Sequence, residues 1–144
     1  MESVMLGRML KVIPTPSDLR LYPLKVPAGF PSPADDHLED QIDLVSYLVR
    51  RPAATFVLQV SGDSMEGAGI LDGDYVVVDK SVKPAHGHTV VAVLDGDMTI
   101  KYYHERKDGY YLVPANEKYR PISLSFDNPP EIWGVVVGVV RRCG

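Results

Sequence analysis

"HTVVAVLDGDMTIKYYHER", residues 88–106, holds the pattern on which the fold turns. Its first half is a run of β-branched and aliphatic residues, and its second, from Met98, carries Thr, Ile and Tyr. Both compositions suit a pleated, half-buried strand. Asp95 and Gly96 sit between them, and Asp-Gly is the pair that accepts positive φ at two successive positions, as a tight hairpin requires. Alternation in the second run puts Thr99, Lys101 and Tyr103 on one face and Met98, Ile100 and Tyr102 on the other.

The same signals repeat on either side. "TFVLQV" (55–60), "YVVVDK" (75–80), "YYLVPA" (110–115) after a second Asp-Gly pair, and the closing "EIWGVVVGVVRR" (131–142) read as strands. Turn residues recur about every ten positions, and no repeat of solenoid length is present. The expected fold is mostly β: a compact, strongly bent antiparallel sheet or partly open barrel, with one short helix and an extended N-terminal arm.

The arm follows from Pro14, Pro16, Pro23, Pro27, Pro31 and Pro33, which remove backbone donors and restrict their neighbours. "LRLYPL" (19–24) is still able to lie along a sheet edge. "DDHLEDQIDLVSYLV" (35–49) carries an apolar stripe of Leu38, Ile42, Leu44, Val45 and Leu48. With Asp35 as cap, Arg50 and Arg51 near the end and Pro52 as stop, this spacing predicts a helix over about 36–49. Residues 12–34 therefore read as an arm or linker ahead of the helix and the strand-rich core.

With 144 residues, 45% hydrophobic and 24% charged, the chain can build a core without disulfides. One cysteine, Cys143, fits a reducing compartment. The opening residues lack the uninterrupted apolar stretch of a secretory signal, and "WGVVVGVV" is too short to span a bilayer, so a cytoplasmic protein is expected. A net charge of -4 argues against a broad nucleic-acid-binding surface. No phosphate loop, zinc cluster or calcium loop is evident, and no cofactor or metal is expected.

Between two strand runs lies "SGDSMEGAG" (61–69). Its glycines permit a tight turn that projects Ser64 into a cleft, with backbone N–H groups of Gly62, Asp63, Ser64 and Met65 near a developing oxyanion. The same composition also suits a loop whose hydroxyls bond its own backbone. A serine needs a base to act as a nucleophile. His86 and His88, in "HGHTV", are candidates, with Asp63, Asp72, Asp74 or Asp79 as acid. Lys101 is another, because a lysine stripped of water is more easily neutral. No GxSxG elbow is present.

These pieces resemble a known family. "SGDSMEGAGILDGDYVVVDK" is similar to the serine-centred segment of LexA-like self-cleaving serine peptidases, and "GDMTIKYY" to their lysine-bearing strand. "AGFPSPADDHLEDQIDL" resembles the cleavage region of the UmuD-type accessory proteins of error-prone DNA polymerase V, and "GVVVGVVRR" their last strand. The similarity runs from about Leu24 to Arg142. It implies Ser64 as nucleophile, Lys101 as general base and Ala28–Gly29 as the scissile bond, and so a removable arm (1–28), a linker with the short helix (29–50) and a LexA-like peptidase and dimerisation core (51–144). Pro27 stands immediately before that bond and suits an extended substrate.

The resemblance further implies a homodimer, a RecA filament on single-stranded DNA as activator, and the catalytic subunit of polymerase V as partner in translesion synthesis within the SOS response to DNA damage. About 28 residues precede the bond, too few for the DNA-binding domain of the related repressors. A non-cleaving dimeric binding module is the alternative, and a trans-acting Ser-Lys peptidase a third.

Overall fold

The computed structural model describes residues 5–12, 20–21, 25–31 and 40–144. Its main sheet has eight strands: β1 (Met5–Lys11), β4 (Thr55–Ser61), β5 (Tyr75–Asp79), β6 (Thr89–Leu94), β7 (Asp97–Arg106), β8 (Gly109–Val113), β9 (Ile122–Leu124) and β10 (Glu131–Val140). The spatial order is β1-β4-β5-β10-β6-β7-β8-β9, and every pairing is antiparallel. The fold is mostly β with one short helix, as expected, and the sheet is not closed into a barrel. Two further pieces, β2 (Arg20–Leu21) and β3 (Asp40–Gln41), pair with each other.

The 88–106 hairpin forms at the anticipated place. Leu94 pairs with Asp97, and Asp95 and Gly96 between them have φ of 51° and 83°. Two positive values in succession match the twist of the flanking strands. The second Asp-Gly pair behaves differently. Arg106 pairs with Gly109, so the turn residues are Lys107 and Asp108, and Gly109 opens β8 where a Cβ would stand 2.5 Å from the Leu124 carbonyl oxygen.

The last strand does not lie at an edge. β10 enters the middle of the sheet, between β5 and β6. Its valines and those of β5 and β6 fill two apolar layers. Leu58, Val60, Met65, Ile70, Val76, Val78, Val91 and Ile100 form one cluster, and Val90, Ala92, Leu112 and Val135 the other. Adjacent Val90 and Val91 fall in different clusters because successive side chains of a strand point to opposite faces. Each fully buried valine, leucine or isoleucine contributes about 1.5–3 kcal/mol.

One expectation needs correction. The helix does not occupy 36–49: α1 spans Leu44–Leu48, five residues. Residues 32–39, including Asp35, lie outside the described residues, while Asp40 and Gln41 are extended against Arg20 and Leu21. The cap is Asp43, whose carboxylate accepts from the Val45 and Ser46 N–H groups and from the Ser46 hydroxyl. A side chain that satisfies these amides starts the helix at its own position.

The N-terminal arm contributes a strand of its own. Met5–Lys11 pairs with β4, Met5 opposite Ser61 and Lys11 opposite Phe56, so part of the proposed removable segment belongs to the main sheet. Although β1 and β7 are far apart in strand order, they approach each other in space. The sheet therefore curls, and the chain leaving β4 is brought toward β7. No helix among the described residues is long and apolar enough to cross a membrane.

Candidate active site

Two elements on the curled sheet meet in a buried polar contact. Ser64 lies just beyond β4, and Lys101 lies on β7. Their side chains are 2% and 1% exposed. Lys101 Nζ stands 3.2 Å from Ser64 Oγ, 2.7 Å from Thr99 Oγ1 and 3.2 Å from the Ile100 carbonyl oxygen. Thr99 and Lys101 share a face of β7, as strand alternation requires, so the hydroxyl two residues back reaches the same amine. Hydration is replaced here by three fixed oxygens.

The serine turn is held from several sides. Gly62, with φ of 98°, ends the strand, and its N–H donates to Asp72 Oδ1 at 2.8 Å. That N–H is therefore engaged within the turn. Met65 is fully buried in the core, fixing the residue after Ser64. A short 3-10 turn, Glu66–Ala68, follows.

Residues 115–119 close the other side. Ala115 N–H donates to the Ser64 carbonyl (2.8 Å), and Gly67 N–H donates to the Ala115 carbonyl (2.7 Å). Asn116 Nδ2 donates to the Asp63 carbonyl (2.8 Å). The Asp63 carboxylate accepts from the Tyr119 hydroxyl and from Lys118 Nζ, the latter at 3.3 Å. The Tyr119 hydrogen bond, with Lys118 behind it, holds the Asp63 carboxyl below the usual carboxylate range. This clamp was not legible in the sequence.

Other candidates are placed elsewhere. His86 Nδ1 accepts from Glu105 N–H, and His88 Nδ1 from Ala85 N–H. His86 instead lies against His104, with ring centroids 4.7 Å apart. Neither histidine contacts Ser64 among the described residues. Asp74 is buried, bonded to Leu71 N–H and to Arg141 Nε at 3.1 Å, and Asp79 is buried beside Arg51 and Ser81. Cys143 is exposed. Among the described residues, no group of three or more His, Cys, Asp and Glu side chains is arranged to hold a metal ion.

Ala28 and Gly29 lie in an exposed bend, flanked by Val26 and Phe30 at 82% and 91% exposure. A Cβ on Gly29 would have nothing within 4 Å. This segment is not seated on Ser64.

Comparison with known proteins adds an independent line. Residues 20–137 match the family described as Peptidase S24-like. Protein SamA of Salmonella typhimurium is 40% identical over 129 residues, covering 90% of this chain and 89% of SamA. Protein MucA of Escherichia coli is 42% identical over 116 residues, covering 80% of this chain and 79% of MucA. The LexA repressor of Syntrophotalea carbinolica is 54% identical over 87 residues, covering 60% of this chain and 43% of that protein.

Proposed function

Because the chain belongs to the Peptidase S24-like family, homologous to the UmuD-type proteins, we propose that it is a self-cleaving serine peptidase of the DNA-damage response that cuts itself at Ala28–Gly29. The observation that carries this reading is the 3.2 Å contact between Lys101 Nζ and Ser64 Oγ, both buried. Burial disfavours the ammonium form. A neutral amine can direct N–H groups at the Ile100 carbonyl and Thr99 Oγ1 and offer its lone pair to the Ser64 hydroxyl.

In the proposed reaction Ser64 Oγ attacks the Ala28 carbonyl carbon while its proton passes to Lys101 Nζ. The tetrahedral intermediate collapses, the Ala28–Gly29 bond breaks, and Lys101 returns the proton to the Gly29 amine. A water, deprotonated by Lys101, then attacks the ester; Ser64 regains its proton and the Ala28 carboxylate leaves. Serine–lysine pairs are a recognised variant of histidine-based triads.

Ala28–Gly29 lies outside the site, so the arm must dock before it is cut. Tethering makes that a unimolecular step, and an activator that favours the docked arm accelerates it by shifting a population. A RecA filament on single-stranded DNA is the proposed activator. Removing residues 1–28 takes β1 from the sheet edge and leaves the other seven strands. The product would then serve the catalytic subunit of an error-prone polymerase V in translesion synthesis. Leu44, Tyr47, Val137 and Val140, exposed around α1 and β10, offer an apolar face for a homodimer. A cytoplasmic location fits these partners.

Intact mass against time tests the reading, in one series raising pH and in another adding RecA on single-stranded DNA with nucleotide. Fragments 1–28 and 29–144, absent from Ser64→Ala, are expected. An uncut chain in both series favours a dimeric binding module instead.

A further inference from the structure

In the serine turn the Gly62 N–H donates to Asp72. Among the described residues, the Ser64 and Met65 N–H groups meet no backbone acceptor. A peptide unit is planar and trans, so its C=O and N–H point in opposite directions. Fixing the Asp63 carbonyl therefore aims the Ser64 N–H, and fixing the Ser64 carbonyl aims the Met65 N–H.

Both carbonyls are fixed by neighbouring residues of one segment. Asn116 Nδ2 donates to the Asp63 carbonyl and Ala115 N–H to the Ser64 carbonyl, each at 2.8 Å. Glu66 N–H shares the Asp63 oxygen at 3.3 Å. With both oxygens drawn toward 115–116, both N–H groups face the opposite side of the turn. Serine peptidases recruit the nucleophile's own N–H as an oxyanion donor, and such donors act best when they need no reorientation.

We propose that Asn116 is a positioning residue that aims the Ser64 N–H at the oxyanion formed during cleavage. This rests on the Ser64 reading above and extends it to a side chain 53 residues beyond Asp63. Asn116 is itself held: its Oδ1 accepts from Lys118 N–H at 3.0 Å, and its carbonyl accepts from Tyr119 N–H at 3.1 Å. The Tyr119 hydroxyl and Lys118 amine then reach back to Asp63. The segment thus grips the residue before the nucleophile by both its carbonyl and its carboxylate.

The test uses the full chain with Asn116→Ala, Asn116→Asp and Asn116→His. Asp keeps the size but has no donor, whereas the Nδ1–H of His stands near the place of the Asn amide N–H. Three quantities are measured: the self-cleavage rate across alkaline pH, the rate at which a fluorophosphonate labels Ser64, and Tm. Outright loss of an oxyanion donor slows catalysis about 10²–10³-fold, so misaiming one should cost about 10–100-fold.

Ala and Asp should slow both reactions by that factor without moving the pH at which cleavage rises, since Lys101 is untouched, and His should recover most of the rate. Wild-type rates in Ala and Asp overturn the proposal. So does a loss that His leaves unrecovered, or one that comes with a shifted pH profile. If Ala unfolds, the Asp and His pair decides. If the wild-type chain is labelled at Ser64 yet never cuts itself, the proposed function fails while the Asn116 comparison is still read from labelling.

Discussion

Thr99→Val probes Lys101, the proposed base, through a single oxygen. Thr99 is 1% exposed, and its Oγ1 lies 2.7 Å from Lys101 Nζ. Valine fills nearly the same volume and suits β7, so the perturbation is the lost acceptor. A hydrogen bond to a neutral group contributes about 0.5–1.5 kcal/mol and one to a charged group about 1.5–3 kcal/mol. Lys101 gains a proton as Ser64 attacks, so this contact strengthens on the way to the transition state, by about 1–1.5 kcal/mol. Only that difference appears in the rate, which should fall about tenfold.

The same oxygen favours the ammonium over the amine, so its removal should move the rise of cleavage to lower pH. Self-cleavage of the full chain, followed by intact mass at a series of pH values, reads both effects. Urea unfolding should show a stability loss below about 2 kcal/mol. A plateau rate within about twofold of wild type, a factor worth only some 0.4 kcal/mol, would refute the assigned role of Thr99. So would a profile displaced to higher pH.

Three further outcomes follow from particular contacts. Lys101→Met should abolish self-cleavage while leaving Tm equal or higher, since an apolar chain replaces a buried amine; a lower Tm would show that the lysine stabilises the fold. Asp63 is depressed by its Tyr119 and Lys118 hydrogen bonds; for Asp79, burial pushes upward but Ser81 and Arg51 outweigh it. Depressed carboxyls stabilise the fold above their unfolded value of 3.8, and this is lost as pH falls through the lower folded values. Acid unfolding of Asp79→Asn should accordingly be shallower than wild type, and an unchanged acid limb would contradict the assignment. Finally, a chain lacking residues 1–28 should exchange amide hydrogens faster along the β1-facing side of β4, and unaltered protection there would show that β1 does not shield it.

The strands of the core were legible because their signals are local. β-branched runs favour extended backbone wherever they occur, and Asp95–Gly96 supplies the two positive φ values of a hairpin without help from the rest of the chain. The turn carrying Ser64 was legible for the same reason. The helix was misjudged because its apolar stripe extends beyond the stretch that is helical. Asp43 captures the amides that set its start, and Asp40–Gln41 pairs with a segment 20 residues upstream. β1 was missed because "MLGRMLK" becomes a strand only where β4 presents an edge to it.

Local composition left His86, His88 and Lys101 all open as base, and only the family resemblance singled out Lys101 in the sequence. Ser64 and Lys101 are 37 residues apart, on elements separated in the sheet by β5, β10 and β6. Their meeting depends on sheet curvature and on the insertion of β10 between β5 and β6, which no residue near either side chain encodes. The clamp of Asn116 on Asp63 has the same origin. The sequence by itself determined which segments extend and where they turn, because backbone propensity acts over a few residues. Only the tertiary structure decided which polar groups share a buried site, because hydrogen bonds reach about 3 Å and the order and curl of the strands set what lies within that distance.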